Sequence, residues 1–147
     1  VELFPQTLIN VRMHAGTDWK NLPGLQAAIA ECHARAATFE DTDWKKIVIL
    51  YEALAQLTPS PVVDLNHAAA VSMAYGPGPA LEFVDKLVAS GELADYHLLP
   101  SVRGDLLFKL ARHDEARAEF ERAAAMTRNA REQALLLARA RECAAAG

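Results

Sequence analysis

Apolar residues recur along most of this chain at alternating intervals of four and three. The pattern is clearest in residues 97–129, HLLPSVRGDLLFKLARHDEARAEFERAAAMTRN. It predicts two helices folded back on each other about the turn ARHDEA. The first carries small Gly104 and large Leu107; the second carries Ala116, Phe120 and Ala123. Small residues suit a close helix crossing, and large ones fill the gap between the two axes. The same interval returns as Ile47/Tyr51/Leu54 and Ala80/Val84/Leu87, with the three sets starting 33 and 36 residues apart. Ala68 and Val71 repeat the Gly104/Leu107 spacing.

Read from the N-terminus, the pattern predicts helices over Leu25–Phe39, Trp44–Leu57, Val62–Tyr75, Ala80–Ala89, Leu93–Leu110, His113–Met126 and Ala130–Ala144. Thr42 or Asp43 supplies the cap of the second helix and Asn129 that of the last. Pro61 suits a first helical position. Gly76-Pro-Gly-Pro79 and Ser90-Gly91 read as turns. Pro100 predicts either a kink or a new helix starting near it. The last helix is expected to face inward with Ala134, Leu135, Ala138 and Cys143. Residues 1–21 stand apart: Thr7, Ile9, Val11 and Met13 alternate loosely, which is a weak strand signal, and a tail or non-native segment is the other reading. The helical domain is expected over 22–147.

A period near 34 with this order of small and large positions is the skeleton of a tetratricopeptide (TPR) repeat. One such hairpin cannot bury both faces alone and asks for neighbours. The expected fold is therefore all-α: a TPR-like α-α superhelix, or solenoid, of about seven helices closed by a C-terminal capping helix.

Composition agrees and narrows the function. Of the 147 residues 52% are hydrophobic, much of that Ala, and only 7% are aromatic, which favours helices. The net charge is −4 and uneven. Residues 1–108 hold 7 Lys/Arg against 13 Asp/Glu, and residues 109–147 hold 8 against 6. Neither part is basic enough to predict a nucleic-acid surface. Cys32 and Cys143 form no disulfide framework or metal spacing, and they read as buried thiols in a reducing cytoplasm. No apolar run is long enough for a membrane span.

Candidate chemistry is sparse. The metalloprotease, nucleophile-elbow and phosphate-loop patterns are absent from the sequence, and no catalytic residue, metal ligand or cofactor is assigned. The prolines of Gly76–Pro79 remove amides that an anion would need. His14, His33, His67, His97 and His113 show no ligand spacing. Arg128, Arg131, Arg139 and Arg141, interleaved with Glu132 and Glu142, read as a solvated helix face or as an acidic-partner patch. In a solenoid the first helix of each pair lines the concave face. That face would include Leu65, Asn66, Ala69 and Met73, then Ser101, Val102, Asp105 and Lys109. Asn66 has two readings: binding a peptide backbone, or tying its own loop. Lys109 stands nearly alone, too little cationic charge for a carboxylate clamp.

Four blocks carry a resemblance: LQAAIAECHARA (25–36), TDWKKIVILYEALAQLTPSPVVDLNHAAAVSMAYGPGPAL (42–81), LADYHLLPSVRGDLLFKLARHDEARAEFERA (93–123) and NAREQALLLARA (129–140). Together they resemble the C-terminal TPR-like extension of bacterial extracytoplasmic-function (ECF) sigma factors. Pro59-Ser-Pro61 with Leu65-Asn66, and Tyr96-His-Leu-Leu-Pro100 with Arg103 and Asp105, are the specific parts. His67 departs from the Leu-Asn-Arg of that pattern. The regions that contact polymerase and promoter are absent from the sequence. The resemblance implies a non-catalytic regulatory module of transcription initiation. Its partner would be the factor's own sigma regions, RNA polymerase or a signalling protein, with no direct contact to nucleic acid. Asn66, Tyr96, His97, Arg103, Asp105 and Lys109 are the candidate protein-binding residues. For Tyr96-His97 and Arg103-Asp105, internal hydrogen bonds and salt bridges are the competing reading. A stand-alone peptide-binding adaptor, a homodimerising module and an enzyme are the rival functions.

Overall fold

The computed structural model describes residues 22–35 and 43–146, and every regular element among them is helical. Seven helices follow in order: α1 Leu22–Arg35, α2 Trp44–Leu57, α3 Pro61–Tyr75, α4 Pro77–Ser90, α5 Leu98–Lys109, α6 His113–Met126 and α7 Ala130–Ala146. They fall into two compact units, one ending at Gly76 and one starting at Pro77. The strand signal at 7–13, the candidate cap Thr42 and the expected end of α1 at 36–39 lie outside the described residues.

In the first unit α1 packs on α2, and α2 on α3. Asp43 starts α2 by accepting the Lys46 backbone N–H at 3.2 Å, which satisfies one of the amides a helix start leaves open. Ile47, Tyr51 and Leu54 are buried, as are Leu65, Ala68 and Val71 of α3. The Lys45 ammonium lies 5.9 Å from the centre of the Tyr75 ring. His67 Nε2 lies 3.5 Å from Glu52 Oε1. The start of α2 thus stands beside the end of α3, and the pair is an antiparallel hairpin. Pro61 takes the first helical position behind an extended Ser60. Gly76 ends α3 at φ +101° and donates to the Ser72 carbonyl; at that angle a Cβ would be strained.

In the second unit α4 packs on α5, α5 on α6 and α6 on α7. The expected turn at Gly76–Pro79 shrinks to Gly76, because Pro77, Gly78 and Pro79 are already the first turn of α4. A proline lacks an N–H that the first turn would leave unbonded anyway. Leu93 lies in the loop before α5 rather than in the helix. Pro100 sits in the first turn of α5, so a new helix starts there and no kink forms. Ala111 takes φ +61° in the ARHDEA turn, a left-handed position that glycine usually holds. Asn129 caps α7 by accepting the N–H groups of Arg131 and Glu132 at 2.9 and 3.1 Å.

The buried face of α7 is Leu136, Arg139, Ala140 and Cys143. Of the expected inward set only Cys143 is there; Ala134 is exposed, and Leu135 and Ala138 are half-buried. The helix is turned so that Arg139 lies against Phe120, its guanidinium carbon 4.8 Å from the ring centre. Phe120 also meets Gly104. A Cβ built there would lie 3.0 Å from the ring. Gly104, Leu107, Ala116, Phe120 and Ala123 are all buried, and Gly104 sets how closely α5 and α6 approach.

Two outcomes follow, both read by urea unfolding. Gly104→Ala lowers stability by about 1–3 kcal/mol through overpacking, because the Phe120 ring, with Arg139 also against it, has to shift to admit a Cβ. In a Phe120→Ala background, itself costing about 3–5 kcal/mol, the same change becomes stabilising by up to about 1 kcal/mol through helix propensity. Additive effects would show that the crossing does not depend on the glycine. The second outcome concerns Tyr51, whose buried hydroxyl has no hydrogen-bond partner among the described residues. Burial pushes its pKa far above the usual value. The unfolded chain ionises first, so stability is undiminished by this group below about pH 10 and falls as pH rises further. Tyr51→Phe is expected to be neutral or stabilising at pH 7 and to flatten this alkaline loss.

Candidate functional site

Five of the six candidate residues stand in the second unit, on the loop 91–97 and on α5. Asn66 stands on α3 in the first. It is half-buried, and its Oδ1 is buried and accepts no hydrogen bond from the described residues.

Tyr96 and His97 close the loop onto α5. The Tyr96 N–H donates to the Leu93 carbonyl at 3.0 Å, and its ring meets the His97 ring edge-on at 6.0 Å. Partial burial pushes the Tyr96 hydroxyl pKa up. The His97 carbonyl accepts the Ser101 hydroxyl at 2.8 Å. On its other side His97 Nε2 lies 3.1 Å from Glu132 Oε2, off the line of a good hydrogen bond. The Thr127 hydroxyl donates to the same Glu132 oxygen at 2.9 Å. The first turns of α5 and α7 are therefore tied side to side.

Arg103 reaches in two directions. Its Nε donates to Asp85 on α4 at 2.9 Å, and a terminal nitrogen lies 3.5 Å from Glu119 on α6. Glu119 is only 4% exposed and also accepts Arg122 at 2.8 Å. Charges thus alternate across three helices, so each buried or half-buried ion faces one of opposite sign.

Asp105 is 3% exposed and Arg139 is 7% exposed. They meet at 3.0 Å across 34 residues of sequence. Lys109 Nζ lies 3.1 Å from the other Asp105 oxygen, and Arg139 Nε lies 3.4 Å from Glu142. The guanidinium also lies over Phe108, 5.4 Å from the ring centre. Arginine suits this place because its flat, weakly hydrated cation stacks on rings while its edge donates hydrogen bonds.

These contacts alter two expectations. Ser101, Val102 and Asp105 are buried, so they do not line an open groove; Leu65 and Ala69 on α3 are buried too. Arg139 does not belong to a solvated face: it is the buried partner of Asp105. Arg103 and Asp105 both stand in salt bridges, with Asp85 and Glu119 and with Arg139 and Lys109. Arg139, Asp85, Glu119 and Phe108 were missing from the candidates. One signal was available for Arg139. It falls three after Leu136 and four before Cys143, on the apolar stripe of its own helix.

Cys143 is buried, which pushes its thiol pKa up and keeps the unreactive thiol form. Cys32 is half-buried rather than buried. Among the described residues no three His, Cys, Asp or Glu side chains are grouped to hold a metal ion. No helix among them is long and apolar enough to cross a membrane. Two open hollows stand out among the described residues of the second unit. One, of about 220 Å³, lies over Leu93, Leu99, Pro100 and Met126 with Glu119 and Arg122 beside them. The other, of about 160 Å³, lies between α6 and α7.

No family model matches the chain, and no solved structure matches it. An uncharacterized protein of Rhizobium meliloti (strain 1021) is 50% identical over 113 residues, 76% of this chain. The match covers 26% of that protein, so this chain spans about a quarter of its relative's length. Two shorter matches are to phosphoglucosamine mutases. That of Ralstonia pickettii (strain 12J) is 59% identical over 34 residues, 23% of this chain and 8% of the enzyme. That of Cupriavidus taiwanensis is 67% identical over 30 residues, 20% of this chain and 7% of the enzyme.

The ion-pair geometry fixes an order of mutational effects. Arg139→Met leaves Asp105 buried with Lys109 as its remaining partner and costs about 3–5 kcal/mol of unfolding free energy. Replacing both members, Asp105→Leu with Arg139→Met, costs less than the single change, because no buried charge is stranded. The exposed pair Arg117–Glu121 contributes no more than about 0.5 kcal/mol by the same measurement. Equal losses for the single and double variants would show that packing, not charge pairing, holds the site.

Proposed function

We propose that this chain is a non-catalytic, protein-interaction domain of a bacterial ECF sigma factor. It would form a short TPR-like solenoid and act on transcription initiation in the cytoplasm. One observation carries the reading. Three of the residues most specific to that resemblance, His97, Arg103 and Asp105, brace α4, α5, α6 and α7 against one another. A scaffold that must hold helices in a fixed row needs such positions; a catalytic site would gather titratable groups around an open cavity. Two further facts support it. The repeated positions Ile47/Tyr51/Leu54, Ala80/Val84/Leu87 and Ala116/Phe120/Ala123 are buried in all three helices. The relative that is 50% identical extends well beyond the matched part, which leaves it room for polymerase- and promoter-binding regions. Segments of 30 and 34 residues carry no mutase reading.

In this role the domain contacts the factor's own sigma regions, RNA polymerase or a signalling protein, and promoter contact falls to other regions. A stand-alone adaptor or homo-oligomerising module is the second reading, and the exposed Ile49, Leu57 and Tyr75 of the first unit favour it.

The test starts from the native gene. A sigma-type reading frame joined upstream of codon 1 is expected. Deleting residues 22–146 from the full factor should then lower run-off transcription at its own promoter by about tenfold, within the usual range of intramolecular coupling, while core-polymerase binding persists. Undiminished transcription from the deleted factor, or a native gene without sigma sequence, would overturn the proposal.

A further inference from the structure

The hollow between α6 and α7 is lined by Arg117, Glu121, Leu137, Ala140, Arg141 and Ala144. Its floor is small and apolar, and Leu137 stands 39% exposed beside it. From Leu137 to Ala144 the hollow follows α7 for about two turns, or about 10 Å. A groove of that form between two helices suits a third helix that seats one or two apolar side chains.

Its charge selects the occupant. Glu121 is engaged by Arg117 at 2.9 Å. Glu132 accepts Thr127 and faces His97, and Glu142 lies beside Arg139. Glu121, the carboxylate that lines the hollow, is thus occupied, as are the two acids of α7. Arg141, at the rim, has no ion-pair partner among the described residues, and neither do Arg128 and Arg131 at the start of α7. The surplus agrees with 8 Lys/Arg against 6 Asp/Glu over residues 109–147. We infer that the α6–α7 hollow docks an acidic amphipathic helix of a protein partner, with an apolar side chain against Leu137 and Ala140 and a carboxylate on Arg141. The inference rests on the interaction-domain reading above and adds where the partner binds and with what chemistry.

The probe is a pair of fluorescein-labelled helical peptides of about 18 residues, long enough to hold a helix. Both carry one leucine stripe; one is flanked by Glu and the other by Lys. Binding to the full chain is read by fluorescence anisotropy at low salt. The Glu peptide is expected to bind at least about tenfold more tightly than the Lys peptide, and less so as salt rises. Arg141→Glu should reverse that preference, and Leu137→Asp should weaken both peptides about tenfold. Both positions are exposed, and unchanged circular dichroism and unfolding midpoints would show that the variants fold. No binding, equal binding of the two peptides, or indifference to both substitutions overturns the inference. Sedimentation of the chain alone covers the remaining occupant: self-association that Leu137→Asp abolishes would give the face to a second copy and also overturn it. Failure here with transcription still dependent on residues 22–146 removes the docking site and leaves the domain's role standing. Failure of both removes the role as well.

Discussion

Arg139 and Asp105 lie below the surface on helices α7 and α5, and much of the second unit is arranged around their meeting. Bringing two full charges out of water is costly. The cost is offset only where geometry is good and the remaining donors and acceptors are occupied. Here the Lys109 ammonium stands 3.1 Å from the second oxygen of Asp105, balancing its charge without a hydrogen bond, and Glu142 stands by the guanidinium. Phe120 and Phe108 supply the ring faces on which a weakly hydrated cation rests favourably. Phe120 can occupy that position only because Gly104 gives up a side chain to it. Rotating α7 by one residue would strand the aspartate, so this pair fixes the register of the last helix more firmly than its alanines could.

The same logic extends outward with weakening force. Arg103, between Asp85 and Glu119, links α4 to α5 and α6. Glu119 is buried, so losing its cations would be expensive; Asp85 is half exposed, so its share is small. His97 and Glu132 tie the N-terminal turns of α5 and α7 at the rim. Helices packed by alanine and glycine alone could slide along one another, because small side chains leave shallow ridges. A graded set of polar ties, deepest at Asp105, gives those smooth faces a unique alignment.

This division of labour explains what could be read from the sequence. The crossing residues Gly104, Leu107, Ala116, Phe120 and Ala123 were legible because size and spacing alone decide them. So were the caps Asp43 and Asn129, whose chemistry is local. The bounds of α2 and α6 followed for the same reason. Gly76–Pro79 misled because proline both breaks helices and starts them, and the preceding helix's end decides which role applies. The inward face of α7 was illegible to an apolar count. Its central residue is an arginine, and a pattern of hydrophobicity places arginine in water unless its acidic partner is known. Asp105 was singled out, but only the folded chain brings Arg139 to it.

Residues that look like a recognition motif in one dimension can be consumed in three. Tyr96, His97, Arg103, Asp105 and Lys109 are polar and closely spaced, which is how a binding stretch reads. His97, Arg103 and Asp105 spend that polarity on neighbouring helices, Lys109 faces Asp105 of its own helix, and the Tyr96 ring rests on His97. Substituting His97, Arg103 or Asp105 would weaken function through stability, whatever else the residue does. Recognition has to use groups whose charge or apolar surface is not already engaged. On the second unit that shifts attention from α5, where the motif lies, to the outer side of α7, where Arg141 stands beside an exposed leucine and small residues. With the docking face proposed above, stability and partner choice would reside on opposite faces of one helix. Leu136, Arg139 and Cys143 hold it in place, while Leu137 and Arg141 are free to vary with the partner.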